Sequence, residues 1–237
     1  MGEKYLTQHK KKAAKEKLPD DPDGNQTIQF LRNVRERLRW ITGEHDPSLG
    51  LHPAIYTYSR AGAFQPTLFL AMSEFVEWLK ASGKLKKFQS VRKEFEDFLF
   101  NHKALVSEIG HRLGSGSRSI KRIVSYYGTL IDQFTTKKTD DDILKALSED
   151  DEFLFLLPLI KKPNDAATGA GKRFTRETKT AAFLTAAVEG GVRCTICGAL
   201  VHKNSMNFDH KVRVREQGSN AVENAGVSHF WCNSDKQ

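Results

Sequence analysis

All three cysteines of the chain lie in its last 44 residues, in the turns Cys194-Thr195-Ile196-Cys197 and His229-Phe230-Trp231-Cys232. Two thiolates separated by two residues sit on one tight turn and can share an ion. His229 and Cys232 repeat that gap, so the two turns together predict a tetrahedral zinc site with sulfur and imidazole ligands. Such a site supplies folding free energy that a short, loop-rich segment cannot draw from a core. Asp209-His210, Asn224 and Asn233 stand between and beside these ligands. A carboxylate, an imidazole and two carboxamides are more than a structural metal turn needs, and the pattern reads as a catalytic site stapled by zinc.

Extended backbone must carry the central pair. Met206-Asn207-Phe208 alternates and can form a strand into Asp209-His210, and Lys211-Val212-Arg213-Val214-Arg215 alternates again before the polar loop Glu216-Gln217-Gly218-Ser219-Asn220. Neighbouring side chains on a strand point to opposite faces, so Asp209 can bind an ion while His210 activates water. His202 reads as an exposed loop histidine and Trp231 as an apolar lid on the zinc turn. Ahead of the first turn, Phe174 to Val188 reads as a helix stopped by Gly190-Gly191.

The rest of the chain is helical in rhythm. Leu31, Val34, Leu38 and Ile41 place one apolar stripe on a helix from about Thr27 to Ile41. Leu68 to Leu79 opens behind Pro66; Phe88, Val91, Phe95, Phe98 and Leu99 continue the pattern to Leu105 and Ile109. Gly114-Ser115-Gly116-Ser117 ends that run, and Ile120, Ile123, Val124, Tyr127, Leu130 and Ile131 form a further stripe. These stripes are expected to make a plain helical core. Leu51 to Ser59 interrupts them with a β-rich stretch, in which His52 reads as packed or hydrogen-bonded. Asp140-Asp141-Asp142 opens an apolar-periodic segment and is expected to cap a helix N-terminus rather than bind metal.

The boundaries follow: a lysine-rich arm and linker over 1–24, a helical domain over 25–160, a small polar linker over 161–173 and a C-terminal unit over 174–237. The arm reads as a solvated helix or as a basic segment lying along nucleic acid. A net charge of +8 suits a phosphate-bearing partner. No apolar run approaches the roughly 20 residues that span a bilayer, and no apolar leader follows the N-terminus, so no membrane partner and a cytoplasmic location are expected. Three clustered cysteines fit metal in a reducing compartment better than a disulfide framework.

Taken together, Cys194, Cys197 and Gly198, Asp209-His210, Gly218 and Ser219, Asn224, and His229-x-x-Cys232-Asn233 with Lys236 resemble the HNH nuclease family, of the zinc-stabilised type. The resemblance covers about 44 of the 237 residues. The implied fold is mainly α: an N-terminal helical domain followed by a small α+β unit of ββα-metal type with a structural Zn²⁺. The implied activity is hydrolysis of phosphodiester bonds in DNA, with RNA left open. His210 takes the place of the general base; Asp209 and Asn233 take those of ligands to a catalytic Mg²⁺ or Mn²⁺, for which hard oxygen donors are suited. Asn224 matches the asparagine that steadies the loop and orients the histidine. Lys211, Arg213, Arg215 and Lys236 could contact phosphates or be exposed strand charges with no special partner. The Leu49–Ser59 stretch and the helices after it are loosely similar to bacterial restriction and phage-defence proteins that join a ParB-like domain to a nuclease.

The chain departs from the family pattern in three places. Arg213 stands where a proline is often found, and His229 replaces a typical zinc cysteine and could face the catalytic ion instead. Only four residues follow Asn233, so its helix is expected to be short and braced by the helical domain or a partner. The alternative reading is a non-catalytic zinc module that binds nucleic acid, or a defence-system subunit that binds a protein partner. Double-strand cleavage by a single site would suit a homodimer or sequential nicks.

Overall fold

The computed structural model describes residues 20–161 and 173–235. Most of the lysine-rich arm, the greater part of the 161–173 linker and Lys236 lie outside the described residues. Helix α1 (Asn25–Ile41) begins where the Asp21 carboxylate accepts the Gln26 and Thr27 amides at 3.1 and 2.7 Å. A carboxylate there satisfies amides that have no partner inside the helix. The division of the chain into two units falls within this helix, after Arg35. Its apolar stripe is not core: Leu31 is 57% and Leu38 40% exposed, and only Ile41 is buried. Helical spacing creates an apolar face, but burial needs a second surface against it.

In the unit that starts at Glu36, the predicted β-rich stretch is a helical turn, α2 (Pro53–Tyr56). His52 Nδ1 accepts the Ala54 amide at 3.2 Å, and Pro53 sits at the first helical position. At the other end the buried Lys103 ammonium donates to the carbonyls of Ala54, Ile55 and Tyr58 at 2.5, 3.0 and 2.9 Å. Capping at both ends outweighs the β-propensity of Ile55 and Tyr56.

Burial, then the charges of His202, Lys103, Arg92 and His229, hold the His52 pKa down to about 4. The unfolded chain therefore takes up this proton below about 6.5 while the folded chain does not until about 4. Stability is expected to fall as pH drops through that window, by about 2 kcal/mol once the partial exposure of the ring is allowed for. His52→Asn keeps a capping oxygen but cannot titrate. Urea midpoints of the two proteins, compared at neutral pH and near pH 4.5, should converge towards the acid end.

Six further helices follow: α3 (Pro66–Ala81), α4 (Leu85–Ser90), α5 (Arg92–Asn101), α6 (Lys103–Leu113), α7 (Ser117–Thr135) and α8 (Asp140–Glu149). The single apolar run from Phe88 to Ile109 is thus three helices, broken at Val91 and His102. Helix α7 runs along α3 and α6 and buries Ile123, Val124, Tyr127, Leu130, Ile131 and Phe134. The centre is aromatic, with Phe75 against Tyr127 at 5.1 Å and against Phe88 at 5.4 Å between ring centroids, in edge-to-face contacts. The aspartate cluster opens α8 as expected: Thr139 and Asp142 form a reciprocal capping box.

A short helix α9 (Leu157–Lys161) closes this part, and α10 (Arg176–Glu189) leads to the first cysteine turn. An antiparallel hairpin comes next, β1 (Met206–His210) and β2 (Ala225–His229), pairing Asp209 with Gly226 and His210 with Ala225. Helix α11 (Phe230–Asp235) follows directly and packs on both strands. Among the described residues the chain is therefore mainly helical with one small two-stranded sheet. Val188 and Leu200 belong to the same buried cluster as the aromatic centre. No helix among the described residues is long and apolar enough to cross a membrane.

Candidate metal centre and hairpin site

The first turn is built by backbone geometry. Gly198 N–H donates to Cys194 O at 2.8 Å and Cys194 N–H to Ala199 O at 2.9 Å, which folds the two sulfurs to one side. Gly198 closes the turn at φ +73°, a conformation that disfavours any side chain. The Thr195 amide donates to Val227 O at 2.8 Å and docks the turn on β2. His229 ends β2, and Cys232 lies in the first turn of α11.

The ligand atoms of Cys194, Cys197, His229 and Cys232 lie within 4.8 Å of one another, and all but Cys197 are buried. His229 Nδ1 is 3.5 Å from Cys197 Sγ and 3.6 Å from Cys232 Sγ. Tetrahedral zinc with ordinary Zn–S and Zn–N bonds puts such atoms roughly 3.5 Å apart, so the residues fit the ion. His229 Nε2 lies 3.1 Å from Leu200 O. A carbonyl only accepts, so Nε2 carries the hydrogen and Nδ1 turns its lone pair to the sulfurs. His229 therefore belongs to the cysteine cluster.

The sulfurs also perturb one another. Hydrogen bonds from Cys197 and Cys232 hold the Cys194 thiol far below its usual range, while the neighbouring Cys194 pushes Cys197 up to about 11 and, with Cys197, raises Cys232 as well. Three thiolates in this space would repel one another, and a divalent cation held between them would offset that repulsion.

One positive charge comes from the helical body. Arg92, at the start of α5, is buried and donates through Nε to Glu96 Oε1 at 2.7 Å, and through its terminal nitrogens to Leu49 O at 2.7 Å and Gly50 O at 3.2 Å. Burial works against its charge, but Glu96 and then the Cys197 sulfur push its pKa further up. The segment it holds backs onto the cluster histidine: a Cβ on Gly50 would lie 3.0 Å from His229 Cδ2. No sequence signal marks Arg92, since an arginine in a helix reads as a surface residue.

Trp231 is not a lid on the zinc turn. It packs against the helical core with its ring 5.8 Å from Trp40, and its amide donates to Ser48 O at 3.0 Å. Helical periodicity turns it away from its neighbour Cys232. Ser234 Oγ donates to Asp46 Oδ1 at 2.5 Å, and Lys86 pairs with Asp235 at 3.2 Å. The six residues of α11 are thus held by the helical body. His202 is half-buried rather than exposed; it accepts the Asn204 amide at 3.3 Å and meets the His52 ring edge-on at 5.4 Å.

Asp209 and His210 occupy the last two positions of β1, both half-buried, and Asn233 follows the metal-cluster residue Cys232 on α11. Asn224, only 9% exposed, organises the loop between the strands. Its Oδ1 accepts Val212 N–H at 2.7 Å, and its Nδ2 donates to Val212 O at 3.0 Å and Ser219 O at 2.7 Å. Gly218 permits this closure: a Cβ there would overlap the Val212 carbonyl and lie 2.9 Å from Asn224 Nδ2.

The predicted second alternating stretch is consequently no strand. The Val212 backbone bonds to Asn224, the Arg213 carbonyl accepts from Gly218 N–H at 3.0 Å, and Val214–Glu216 is a 3-10 turn. The contact to His210 comes from Asn220, a residue with no sequence signal beyond its polar loop, whose Oδ1 lies 3.1 Å from His210 Nε2. Of the cations, Lys211 is exposed and donates to Glu223 O at 2.8 Å, while Arg215 approaches Glu216 at 3.8 Å. Comparison with protein-family models, with curated proteins and with solved structures returned no match to this chain.

Proposed function

We propose that this chain is a metal-dependent endonuclease of the HNH type that hydrolyses phosphodiester bonds of DNA. The observation that carries the reading is one of placement. Asp209-His210 end the first strand of a β-β-α unit, Asn224 locks its connecting loop, and Asn233 stands beside a metal-cluster cysteine on the helix. The cysteine cluster joins the end of β2 to α11, so it sets the position of Asn233 relative to the hairpin.

In this reading His210 accepts a proton from water, whose oxygen attacks phosphorus as the bond to the leaving oxygen breaks. Asp209 and Asn233 would hold a divalent ion, Mg²⁺ or Mn²⁺, which when bound neutralises charge on the phosphate and the leaving oxygen. Lys211, Arg213, Arg215 and Lys236 orient phosphates of the substrate, and the cysteine-histidine cluster is structural. A role in restriction or phage defence, with a protein partner or a second copy, follows instead the looser similarity of Leu49–Ser59 and the helices after it.

The test is plasmid cleavage with Mg²⁺, Mn²⁺ or EDTA, beside a zinc stoichiometry. Cleavage should require the divalent ion, and His210→Ala should lower its rate by about 10²–10⁴-fold while zinc content and fold are unchanged. A zinc-loaded protein that binds nucleic acid but cuts none, whatever the ion, would be a binding module instead.

A further inference from the structure

We infer that Asn220 is the positioning residue of His210, holding its ring through Nε2 so that Nδ1 faces the reacting water. This rests on the nuclease reading of the same site. A carboxamide oxygen only accepts hydrogen bonds, and Asn220 Oδ1 lies 3.1 Å from His210 Nε2. The hydrogen is therefore on Nε2, and the lone pair is on the nitrogen that Asn220 leaves free.

Asn220 is itself placed from the buried side of the loop. Asn224 Nδ2 donates to the carbonyl of Ser219, the preceding residue, at 2.7 Å, and Ser219 Oγ accepts the Ala221 amide at 3.4 Å. Gly218, with no room for a side chain, sets the same turn from its other end. A relay runs from buried Asn224 through the Ser219 carbonyl to Asn220 and on to His210. The asparagine that steadies the loop and the one that orients the histidine are thus two residues, four positions apart. A base is effective only when its lone pair is aimed within hydrogen-bond reach of the water, and small misplacements are costly.

Asn220→Leu removes the acceptor at similar size, and Asn220→Asp keeps it. Asn220→Leu should lower kcat by about 10–100-fold with KM nearly unchanged, and Asn220→Asp should recover most of that loss. Independently of activity, nitrogen-15 spectra of the neutral ring should show a hydrogen-bonded Nε2–H in wild type and Asn220→Asp, lost in Asn220→Leu. Wild-type kcat in Asn220→Leu, in an enzyme that His210→Ala inactivates, would overturn the inference and leave the nuclease reading standing. An Nε2–H held by Asn220 in a protein that cuts nothing would overturn the nuclease reading, and with it the catalytic meaning of the contact.

Discussion

Cys232→Ser is expected to abolish metal binding and to disorder the hairpin and α11 while the helical body stays folded. Cys232 is fully buried, and its sulfur lies 3.6 Å from His229 Nδ1 at the junction of β2 and α11. A serine hydroxyl is a poor zinc ligand, and three remaining ligands in a buried pocket hold the ion weakly. Structural zinc contributes about 10–16 kcal/mol in small finger peptides, as much as the whole stability of an ordinary domain.

The effect should be confined because the two parts draw on different sources of stability. The helical body has its own aromatic centre around Phe75, Phe95 and Tyr127, whereas among the described residues the cysteines share a separate small apolar cluster with Ile196, Val201, Met206 and Val227. Metal content and amide hydrogen exchange measure both halves of the expectation. Exchange should become fast across 206–235 and stay slow across α3 and α7, and a chelator should reproduce the pattern in wild type. A Cys232→Ser protein that retains one zinc per chain, with a protected hairpin, would refute the four-ligand site.

Arg92→Met is expected to cost about 3–5 kcal/mol, because it strands a buried carboxylate. Glu96 would keep only the Tyr56 hydroxyl, at 2.9 Å, and its second oxygen already lacks a partner among the described residues. The carbonyls of Leu49 and Gly50 would also lose their donors, and the segment behind His229 would loosen. Two readouts should therefore move together: the unfolding midpoint and the resistance of the bound metal to a chelator.

Adding Glu96→Gln to Arg92→Met removes the orphaned charge and should restore much of the stability, since the pair is coupled. It should not restore metal retention, because neither the guanidinium near the sulfurs nor the clamp on Gly50 returns. If Arg92→Met melts lower but releases metal at the wild-type rate, the arginine serves the helical core alone.

The metal cluster was legible because its signal is local twice over. Each pair of ligands lies on one turn, and spacing alone puts Cys194 with Cys197 and His229 with Cys232. The helix start at Asp140-Asp141-Asp142 and the strand leading into Asp209-His210 were readable for the same reason. Leu51 to Ser59 misled because residue preferences there favour a strand, while the deciding hydrogen bonds come from His52 and from the distant Lys103. Lys211 to Arg215 misled likewise, since Asn224 and Gly218 take the backbone groups a strand would have used.

By itself the sequence determined which side chains could hold a metal, where several of the helices lie, and that the chain would be mainly helical. Those outcomes depend on backbone geometry and capping within a few residues, which adjacent letters carry. Only the tertiary structure decided that α1 leaves Leu31 and Leu38 exposed, that Trp231 faces Trp40, that Arg92 stands behind the metal ligands and that Asn220 meets His210. Each of these turns on what a remote segment presents to the residue: a surface to bury against, a charge, or a hydrogen-bond acceptor. Periodicity and spacing carry no record of such partners.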